Sequence, residues 1–287
     1  ISTDHNPRYN IISPYWGAVN AVIESMRNVA AVGAIPLALS DCLCFGNPEN
    51  PSQMWEFVES IRGIKDTCNY MYLKEHQKKP VPIIAGNVSF YNESKSGAIP
   101  PSPMISCLGK LKNVDTAISM SLKSKNSTLF LIGERKNELG GSVYYNIFNE
   151  LGSNLPQPDF EEARNQIYAL TDSIDLNLIR SCHDISDGGF AVALFEMSFK
   201  NAIGCSVDIK SNLSIKQLLF SETGGFIIEV GSKNENKITT IFKKHNLMVE
   251  KIGTTNLSNH ISINSKIKIN ILKAKDCWEN GLRNKLK

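Results

Sequence analysis

The spacing of apolar residues predicts two amphipathic helices in the first part of the chain. In "YWGAVNAVIESMRNVAAVGA" (15–34), apolar side chains recur every three or four positions, which is the period of one face of an α-helix. Gly33 is suited to end this helix, because glycine accepts the left-handed conformation that often follows a helix C-terminus. The segment "PSQMWEFVESIRGIKDTCNYM" (51–71) repeats the helical spacing. We therefore expect two helices that each bury one face.

Short apolar runs between and after these helices predict strands. "IPLALSD" (35–41) is expected to be a strand that ends in an acid, and "VPIIAGN" (81–87) a buried strand that ends in small polar residues. A third run, "MISCLGKL" (104–111), follows three prolines. Residues 1–112 are thus predicted to form one mixed domain of strands and helices.

A polar stretch, residues 112–127, separates this block from a second pattern of alternating strands and helices. A chain of 287 residues is long enough for two cores, so we place a second, α/β domain at 113–287. Its predicted strands are "TLFLIGE" (128–134), "SCHDI" (181–185) and "FIIEV" (226–230), and its predicted helices begin near 141, 159, 190 and 276.

Composition narrows the class of protein. Hydrophobic residues make up 42% and charged residues 21%, as in ordinary globular proteins, and the charge of +3 comes from 31 basic and 28 acidic residues that are intermixed. So mild a charge does not indicate a nucleic-acid partner, and no apolar run reaches membrane-spanning length. Seven irregularly spaced cysteines favour reduced thiols in a cytoplasmic protein over a disulfide framework. "CLC" (42–44) alone is a weak metal signal.

Three segments share one design, in which a strand leads polar residues into a glycine-containing turn. Asp41 and Asn87 offer oxygen ligands of the kind that suit Mg²⁺, and Gly86 lacks a Cβ, so a nucleotide or phosphate could approach its backbone closely. Asp, Asn and Gly are also the residues of ordinary turns, so each segment alone has a purely structural explanation. The three segments are "SDCLCFGNP" (40–48), "AGNVSFYNES" (85–94) and "CHDISDGG" (182–189).

The segment "HDISDGG" admits two interpretations. Ser186 or Asp187 can cap a helix that begins around Gly188, or the helix N-terminus can bind an anion. His183 is either a buried structural histidine or part of a site. "NELGGS" (137–142) repeats the pattern of a polar loop, two glycines and a helix start. The residues alone therefore indicate a two-domain α/β protein whose loops suit phosphates or cations.

Several of these segments resemble one enzyme family, phosphoribosylformylglycinamidine synthase, and within it the C-terminal half of the small-type synthetase subunit. "DxLxFGNP" followed by "GNVSxYNE" is specific to this family, whereas "DISDGG" is shared with aminoimidazole ribonucleotide synthase and other members of the superfamily. The resemblance runs from near residue 2 to at least residue 230. The matching segments, in order, are "STDHNPRY", "RNVAAVGAIPLALSDCLCFGNPENP", "GNVSFYNES", "NELGGS" and "HDISDGGF".

The resemblance implies a barrel-forming mixed domain followed by an α/β domain, as in aminoimidazole ribonucleotide synthase. It implies an ATP- and Mg²⁺-dependent carbon–nitrogen ligase of purine biosynthesis that converts formylglycinamide ribonucleotide to the amidine. Expected partners are the N-terminal half of the same subunit, a glutaminase subunit and a small accessory subunit. The catalytic residues of the family lie in that N-terminal half, so we expect this chain, which starts at Ile1 without methionine, to be an inactive fragment.

The resemblance also assigns roles to residues. Asp41 and Gly86 are expected to contact ATP, Asn87 to ligate Mg²⁺ and Ser89 to contact the substrate, with Glu93 a weaker candidate near the metal. Two departures stand out: an insertion, "NYMYLKEHQKKPV" (69–81), is expected to be a surface loop, and Phe226 stands where the family usually has an arginine. Alternatives are aminoimidazole ribonucleotide synthase, against which "GNVSFYNES" argues, or a non-catalytic nucleotide-binding half, and the fragment could form a homodimer.

Overall fold

Two large β-sheets with helices packed against them and one two-stranded hairpin form the structure, a computed structural model that describes residues 1–75 and 78–286. The first domain contains β1 (Ser2–Asp4), α1 (Pro7–Ile12), α2 (Pro14–Ala31), β2 (Ile35–Cys44), α3 (Pro51–Tyr70), β3 (Ile83–Ser89), β4 (Glu93–Ser94), β5 (Gly97–Ala98) and β6 (Ser102–Lys110). The second contains β7 (Thr128–Ile132), α4 (Val143–Ile147), α5 (Phe160–Asp175), β8 (Ile179–Asp184), α6 (Gly189–Phe199), β9 (Gly204–Val207), α7 (Ile215–Phe220), β10 (Phe226–Val230), α8 (Glu235–Lys244), β11 (Val249–Asn256), β12 (His260–Ile263), β13 (Ile267–Asn270) and α9 (Ile271–Lys285).

The two long helices of the first domain begin and end at the residues their sequences indicate. Ser13 caps α2 by accepting from the Trp16 N–H, and Pro14 occupies the first turn, where its missing N–H has no consequence. Gly33 follows the helix at φ +96°, the left-handed conformation that favours glycine. Asn50 and Pro51 begin α3 in the same way. Both helix predictions are confirmed.

The first sheet is open and has β3 at a free edge. Its strand order is β1-β6-β2-β3, with β2 and β3 parallel and β6 antiparallel to β2 and to β1. The expectation of a buried strand at 81–87 was wrong, because six of the seven residues of β3 are exposed, Ile84 by 66%. The four strands of this sheet do not close a barrel.

Strands β2 and β3 run further than the sequence pattern indicated. Asp41 does not end its strand, since β2 continues to Cys44, and Gly86 and Asn87 lie within β3 and not in a turn. In-register pairing with a neighbouring strand extends each segment past its polar residues. The candidate site residues are thus held on paired strands, a more rigid setting than a loop.

The insertion at 69–81 is more packed than a surface loop, although His76 and Gln77 lie outside the described residues. Met71 and Val81 are buried, and Leu73 N donates to Lys79 O at 2.8 Å. Lys74 Nζ reaches α5, where it contacts the Tyr168 carbonyl oxygen at 2.9 Å and Asp172 at 2.8 Å. The insertion therefore joins the end of α3 to a helix of the second domain.

The second domain is built on a seven-stranded, mainly antiparallel sheet. Its order is β13-β12-β9-β11-β7-β10-β8, and β12 and β9 form its parallel pair. The predicted strands β7 and β10 are confirmed and entirely buried in the middle of the sheet. Four strands, β9 and β11 to β13, were not predicted, because their residues alternate between apolar and polar over short stretches without motif.

One hydrophobic core crosses between the domains. It includes Val22 and Met26 of α2, Leu170 of α5 and Phe226 of β10. A second core lies on the other face of the seven-stranded sheet, around Phe190 and Leu194 of α6. Because α2 packs on α5 and β8, residues of the first domain reach the loops of the second.

Candidate functional site

The four residues expected to bind ligands lie on adjacent positions of β2 and β3. Asp41 pairs with Gly86, while Cys42 pairs with Asn87 and Cys44 with Ser89. Successive side chains of a strand point to opposite faces, so Asp41 shares a face with Gly86, and Asn87 shares the opposite face with Ser89. The strand pair thus brings together all four, but divides them between two faces.

Gly86 leaves space for its neighbour in the sheet. A methyl group at position 86 would collide with the carboxylate of Asp41. Burial raises the pKa of Asp41, and the hydrogen bond that its carboxylate accepts from the Asn87 backbone N–H opposes that rise. The missing Cβ therefore makes room first for Asp41, which was not foreseen from the sequence.

The turns that follow β2 and β3 are bonded to each other. Tyr91 N donates to Gly46 O at 2.8 Å, and Asn92 N donates to Phe45 O at 3.1 Å. The Asn92 side chain donates to Phe45 O at 2.9 Å and lies 3.1–3.2 Å from the Ser89 hydroxyl. The motifs "FGNP" and "SFYNES" therefore form one rigid corner beside the candidate site.

Asn87 and Glu93 differ in what they offer a cation. Asn87 lies on an exposed strand and can present its amide oxygen, whereas Glu93 lies on the exposed hairpin of β4 and β5. Within the described part of the chain, no three His, Cys, Asp or Glu side chains are grouped so as to hold a metal ion by themselves. Mg²⁺ commonly takes one or two protein ligands and completes its shell with phosphates and water, so the donor set fits Mg²⁺ only when a phosphate is present.

The third motif lies elsewhere, where α2 and β1 of the first domain meet the second domain. His183 Nδ1 is 3.1 Å from Asp184 Oδ1, and His183 Nε2 is 2.9 Å from Glu196 Oε2. Burial lowers the pKa of His183, but the hydrogen bonds to these two carboxylates outweigh it and raise the pKa to about 9. His183 is therefore a partly buried, ion-paired residue.

Several carboxylates lie around Arg27 in the same region, where α2 and β1 meet the second domain. Burial raises the pKa of Asp4 and of Asp187, and raises that of Glu24 well above its ordinary value. The pKa of Asp184 is lowered instead, because His183 and Arg27 outweigh the effect of burial, and its Oδ2 atom is buried without a hydrogen-bond partner. An unpaired buried carboxylate oxygen is a position that a cation or a water would satisfy.

Of the two interpretations of "HDISDGG", capping of the following helix by Ser186 or Asp187 is wrong. Gly188 itself is the N-cap, at φ +79°, and no side chain within the motif bonds to the helix N-terminus. The acceptor is Glu222 Oε1, which receives the Gly188 N–H at 2.8 Å and also the Val143 N–H at 2.8 Å. The sequence analysis did not identify Glu222, because the groups that bond to it come from distant segments. The one signal in the sequence was the position of a charged residue between an apolar run and two glycines.

Two arginines from other segments contact the loop at 223–225, although Phe226 stands where the family usually has an arginine. Phe226 is fully buried in the core. Arg135 donates to the carbonyl oxygens of Thr223 and Gly224, the latter at 3.0 Å, and Arg27 lies so close to Gly224 that a Cβ there would collide with it. Burial and the charge of Arg27 lower the pKa of Arg135 to about 9.

No helix among residues 1–75 and 78–286 combines the length and apolarity needed to cross a membrane. All seven cysteines are free thiols, and the Sγ atoms of Cys42 and Cys44 lie 4.0 Å apart.

Two family models match the chain. "AIR synthase related protein, N-terminal domain" matches residues 1–111, and "AIR synthase related protein, C-terminal domain" matches residues 125–266.

Two curated relatives that cover nearly the whole chain carry the same name. The chain is 43% identical over 289 residues to phosphoribosylformylglycinamidine synthase subunit PurL of Methanothrix thermoacetophila, covering 99% of the chain and 38% of that protein. It is 36% identical over 287 residues to PurL of Thermobifida fusca, covering 98% and 36%. The chain thus spans little more than a third of the length of these relatives.

Solved structures share the fold at low identity. T. maritima PurL complexed with FGAR matches with a TM-score of 0.77 and 16% identity over 95% of the chain and 45% of that protein. The ATP complex of the same protein matches with a TM-score of 0.72 and 18% identity over 94% and 43%. The chain therefore belongs to the AIR synthase related proteins, as a PurL homologue with one N-terminal and one C-terminal domain of that family.

Proposed function

We propose that this chain is the second half of a PurL-type synthetase and contributes to the ATP-dependent conversion of formylglycinamide ribonucleotide to the amidine in purine biosynthesis. The identity of 43% to a named PurL over nearly the whole chain carries this proposal. The fold supports it, since T. maritima PurL, which shares that fold, has been solved with FGAR and with ATP. The protein would be a cytoplasmic carbon–nitrogen ligase.

The β2–β3 edge is the part of this chain that we assign to ligands. Asp41 and Gly86 would contact ATP, Asn87 would ligate Mg²⁺ and Ser89 would contact the substrate. Supporting this, the four positions are adjacent on paired strands, and hydrogen-bonded turns hold the corner beside them. Preorganised polar groups of this kind orient a ligand without rearranging on binding.

Mg-ATP, when bound, would supply the phosphoryl group that makes the amide oxygen of the substrate a leaving group. The chain's own contribution is positional. The Asn87 amide oxygen would face the cation, and the Ser89 hydroxyl, which accepts from the Asn92 side-chain nitrogen at 3.1 Å, would donate its proton to an oxygen of the substrate. Asp41, fixed against Gly86, would accept hydrogen bonds from the nucleotide.

The free edge of β3 suggests the partner that completes the site. A parallel edge strand with exposed Ile83, Ile84 and Val88 presents unpaired backbone groups and apolar surface to another sheet. We propose that the N-terminal half of the subunit pairs there, closes a barrel and supplies the catalytic residues. We also propose domains of 1–112 and 113–287, and ammonia supply by a glutaminase with a small accessory subunit, by analogy with the solved PurLQS assembly of T. maritima.

The test joins this chain to an N-terminal half and measures ammonia- and ATP-dependent turnover. Asp41→Ala and Asn87→Ala should each lower turnover at least tenfold, as expected for loss of a polar contact to a charged ligand. Asp115→Ala, which removes an exposed carboxylate of the linker, is the matched control. Unchanged turnover in both site variants would refute the site, and tight ADP retention without turnover would favour a non-catalytic nucleotide-binding half.

A further inference from the structure

The buried carboxylate of Glu222 is a junction of three distant segments. It is only 3% exposed, and its Oε2 accepts the Tyr9 hydroxyl at 2.5 Å. Its Oε1 accepts the backbone N–H groups of Gly188 and Val143, both at 2.8 Å. Tyr9 belongs to α1 of the first domain, whereas Gly188 lies within "HDISDGG" and Val143 follows "NELGGS" in the second.

This arrangement satisfies groups that would otherwise be unpaired. The first N–H groups of a helix have no partner within the helix and carry partial positive charge. Gly188 is the N-cap of α6 and no side chain of its own motif bonds to it, and Val143 is the first residue of α4. One carboxylate thus meets the N-termini of two helices, and the phenol of Tyr9 fixes its second oxygen.

Charged groups lie on the segments packed around Glu222, including Glu138 of "NELGGS", whose carboxylate accepts the Thr223 hydroxyl at 2.6 Å. Besides burial, Asp187, just before α6, raises the pKa of both Tyr9 and Glu222. Glu24, on α2, also raises the pKa of Tyr9. Arg135 binds the carbonyl oxygens of Ser221 and Thr223, the residues on either side. Arg27 lies against Gly224 two positions on.

Burial raises the pKa of Glu222 to about 7. The hydrogen bond from Tyr9 opposes this rise, Asp187 adds to it, and the two backbone N–H groups again oppose it. Hydrogen bonds to an ionised carboxylate are stronger than those to a neutral one, so the strength of the junction depends on pH.

We propose that Glu222 is a positioning residue, which holds the "NELGGS" and "SDGG" loops to each other and to α1, and that this junction loosens when its carboxylate takes up a proton. The contacts of Glu222 lie within this chain and do not depend on the proposed function. The effect of the junction on turnover does rest on the proposed function, because the two loops are the phosphate-suited loops of the second domain.

The first experiment measures exchange of the Gly188 and Val143 amides by NMR between pH 5.5 and 8.5, corrected for intrinsic rates. Wild-type protection should rise across neutral pH. Glu222→Gln keeps an acceptor without a titrating group, so its protection should be independent of pH, and Glu222→Ala should lose roughly tenfold in protection at pH 8. Tyr9→Phe should move the midpoint to higher pH, because the lost bond favours the ionised form.

Glu229→Gln is the matched control. Glu229 is also a buried glutamate that accepts two backbone N–H groups, from Lys123 and Ser124, but it lies away from both glycine loops. It should leave exchange at Gly188 and Val143 as in wild type. Exchange at these two amides that is equally pH-dependent in Glu222→Gln and in wild type would overturn the proposal.

A second experiment separates this inference from the proposed function. In the joined synthetase, the acid limb of the pH profile of kcat/KM should change in Glu222→Gln and not in Glu229→Gln. If exchange behaves as expected but the joined protein shows no turnover, the proposed function fails and the junction stands. If turnover occurs with the same profile in both variants, the positioning role is overturned.

Discussion

The carboxylate of Asp41 occupies the space that a side chain at Gly86 would need. The two residues are in-register partners of parallel strands, so the contact is set by the pairing of β2 with β3. An acid on one strand and a glycine 45 positions later thus form a single structural unit.

Gly86→Ala should displace the Asp41 carboxylate and weaken Mg-ATP binding. The added methyl meets the end of a short side chain that can rotate away, so the loss of stability should be modest, about 1–3 kcal/mol. Binding should fall by more than tenfold, since the displaced carboxylate is one of the proposed contacts. Calorimetry of the joined synthetase with Mg-ATP and denaturant unfolding measure the two effects.

Gly281→Ala is the control for that substitution. Nothing lies within 4 Å of a Cβ at position 281 of α9, so alanine should stabilise the helix by about 0.5–1 kcal/mol and leave nucleotide binding unchanged. Equal nucleotide affinity in Gly86→Ala and Gly281→Ala would contradict the assignment of Asp41.

The ion-paired His183 should make stability depend on pH above neutrality. Its pKa is raised from 6.5 to about 9, so its stabilising contribution is fully present below about pH 6.5 and is lost as pH rises through 9. The shift corresponds to roughly 3 kcal/mol. Denaturant unfolding at intervals from pH 6 to 10 should show this decline in wild type and not in His183→Gln.

Glu196→Gln tests whether the paired carboxylates raise the pKa of His183. Removing one of the two carboxylates that raise the pKa of His183 should move the upper end of the decline to lower pH. A decline that persists in His183→Gln would assign it to another group.

Lys74 should stabilise the packing of the insertion on α5. Its ammonium group contacts the Tyr168 carbonyl oxygen, the Thr171 hydroxyl and the Asp172 carboxylate, all within 2.9 Å. Lys74→Met keeps an unbranched apolar side chain and removes the ammonium group with these contacts. The free energy of unfolding should therefore fall by about 1–3 kcal/mol. Lys79→Met, at an exposed position of the same insertion, should have little effect. Equal losses in the two variants would contradict the role of Lys74.

The exposed edge of β3 should drive association of the isolated chain. Ile84 is 66% exposed on a strand whose outer edge is unpaired in this sheet, and such edges pair with other strands. Analytical ultracentrifugation should show concentration-dependent self-association that Ile84→Lys reduces. The same variant should weaken capture of the N-terminal half.

Ile215→Lys is the control, because Ile215 is exposed on α7 of the second domain. A monomeric wild-type chain at high micromolar concentration would contradict the prediction, as would equal effects of the two lysine variants.

Helices and strands were predicted correctly from the sequence where one spacing of apolar residues dominated the segment. The long helices α2 and α3 and the buried strands β7 and β10 were all predicted, because their cores impose a helical spacing or a continuous apolar run. The strands β11 to β13 were not, since short alternating segments are indistinguishable from loops until a neighbouring strand pairs with them. The burial of β3 was misjudged, because in the sequence the apolar residues of an exposed sheet edge look like core residues.

The sequence by itself determined the family, through ordered motifs, and it indicated Asp41, Gly86, Asn87 and Ser89 as the residues that we propose contact a ligand. Only the tertiary structure decided how they are arranged, because strand register sets which side chains share a face. It also decided that Glu222, and not Ser186 or Asp187, receives the amide at the start of α6. A hydrogen bond between residues 34 positions apart depends on packing, and local sequence carries no record of it.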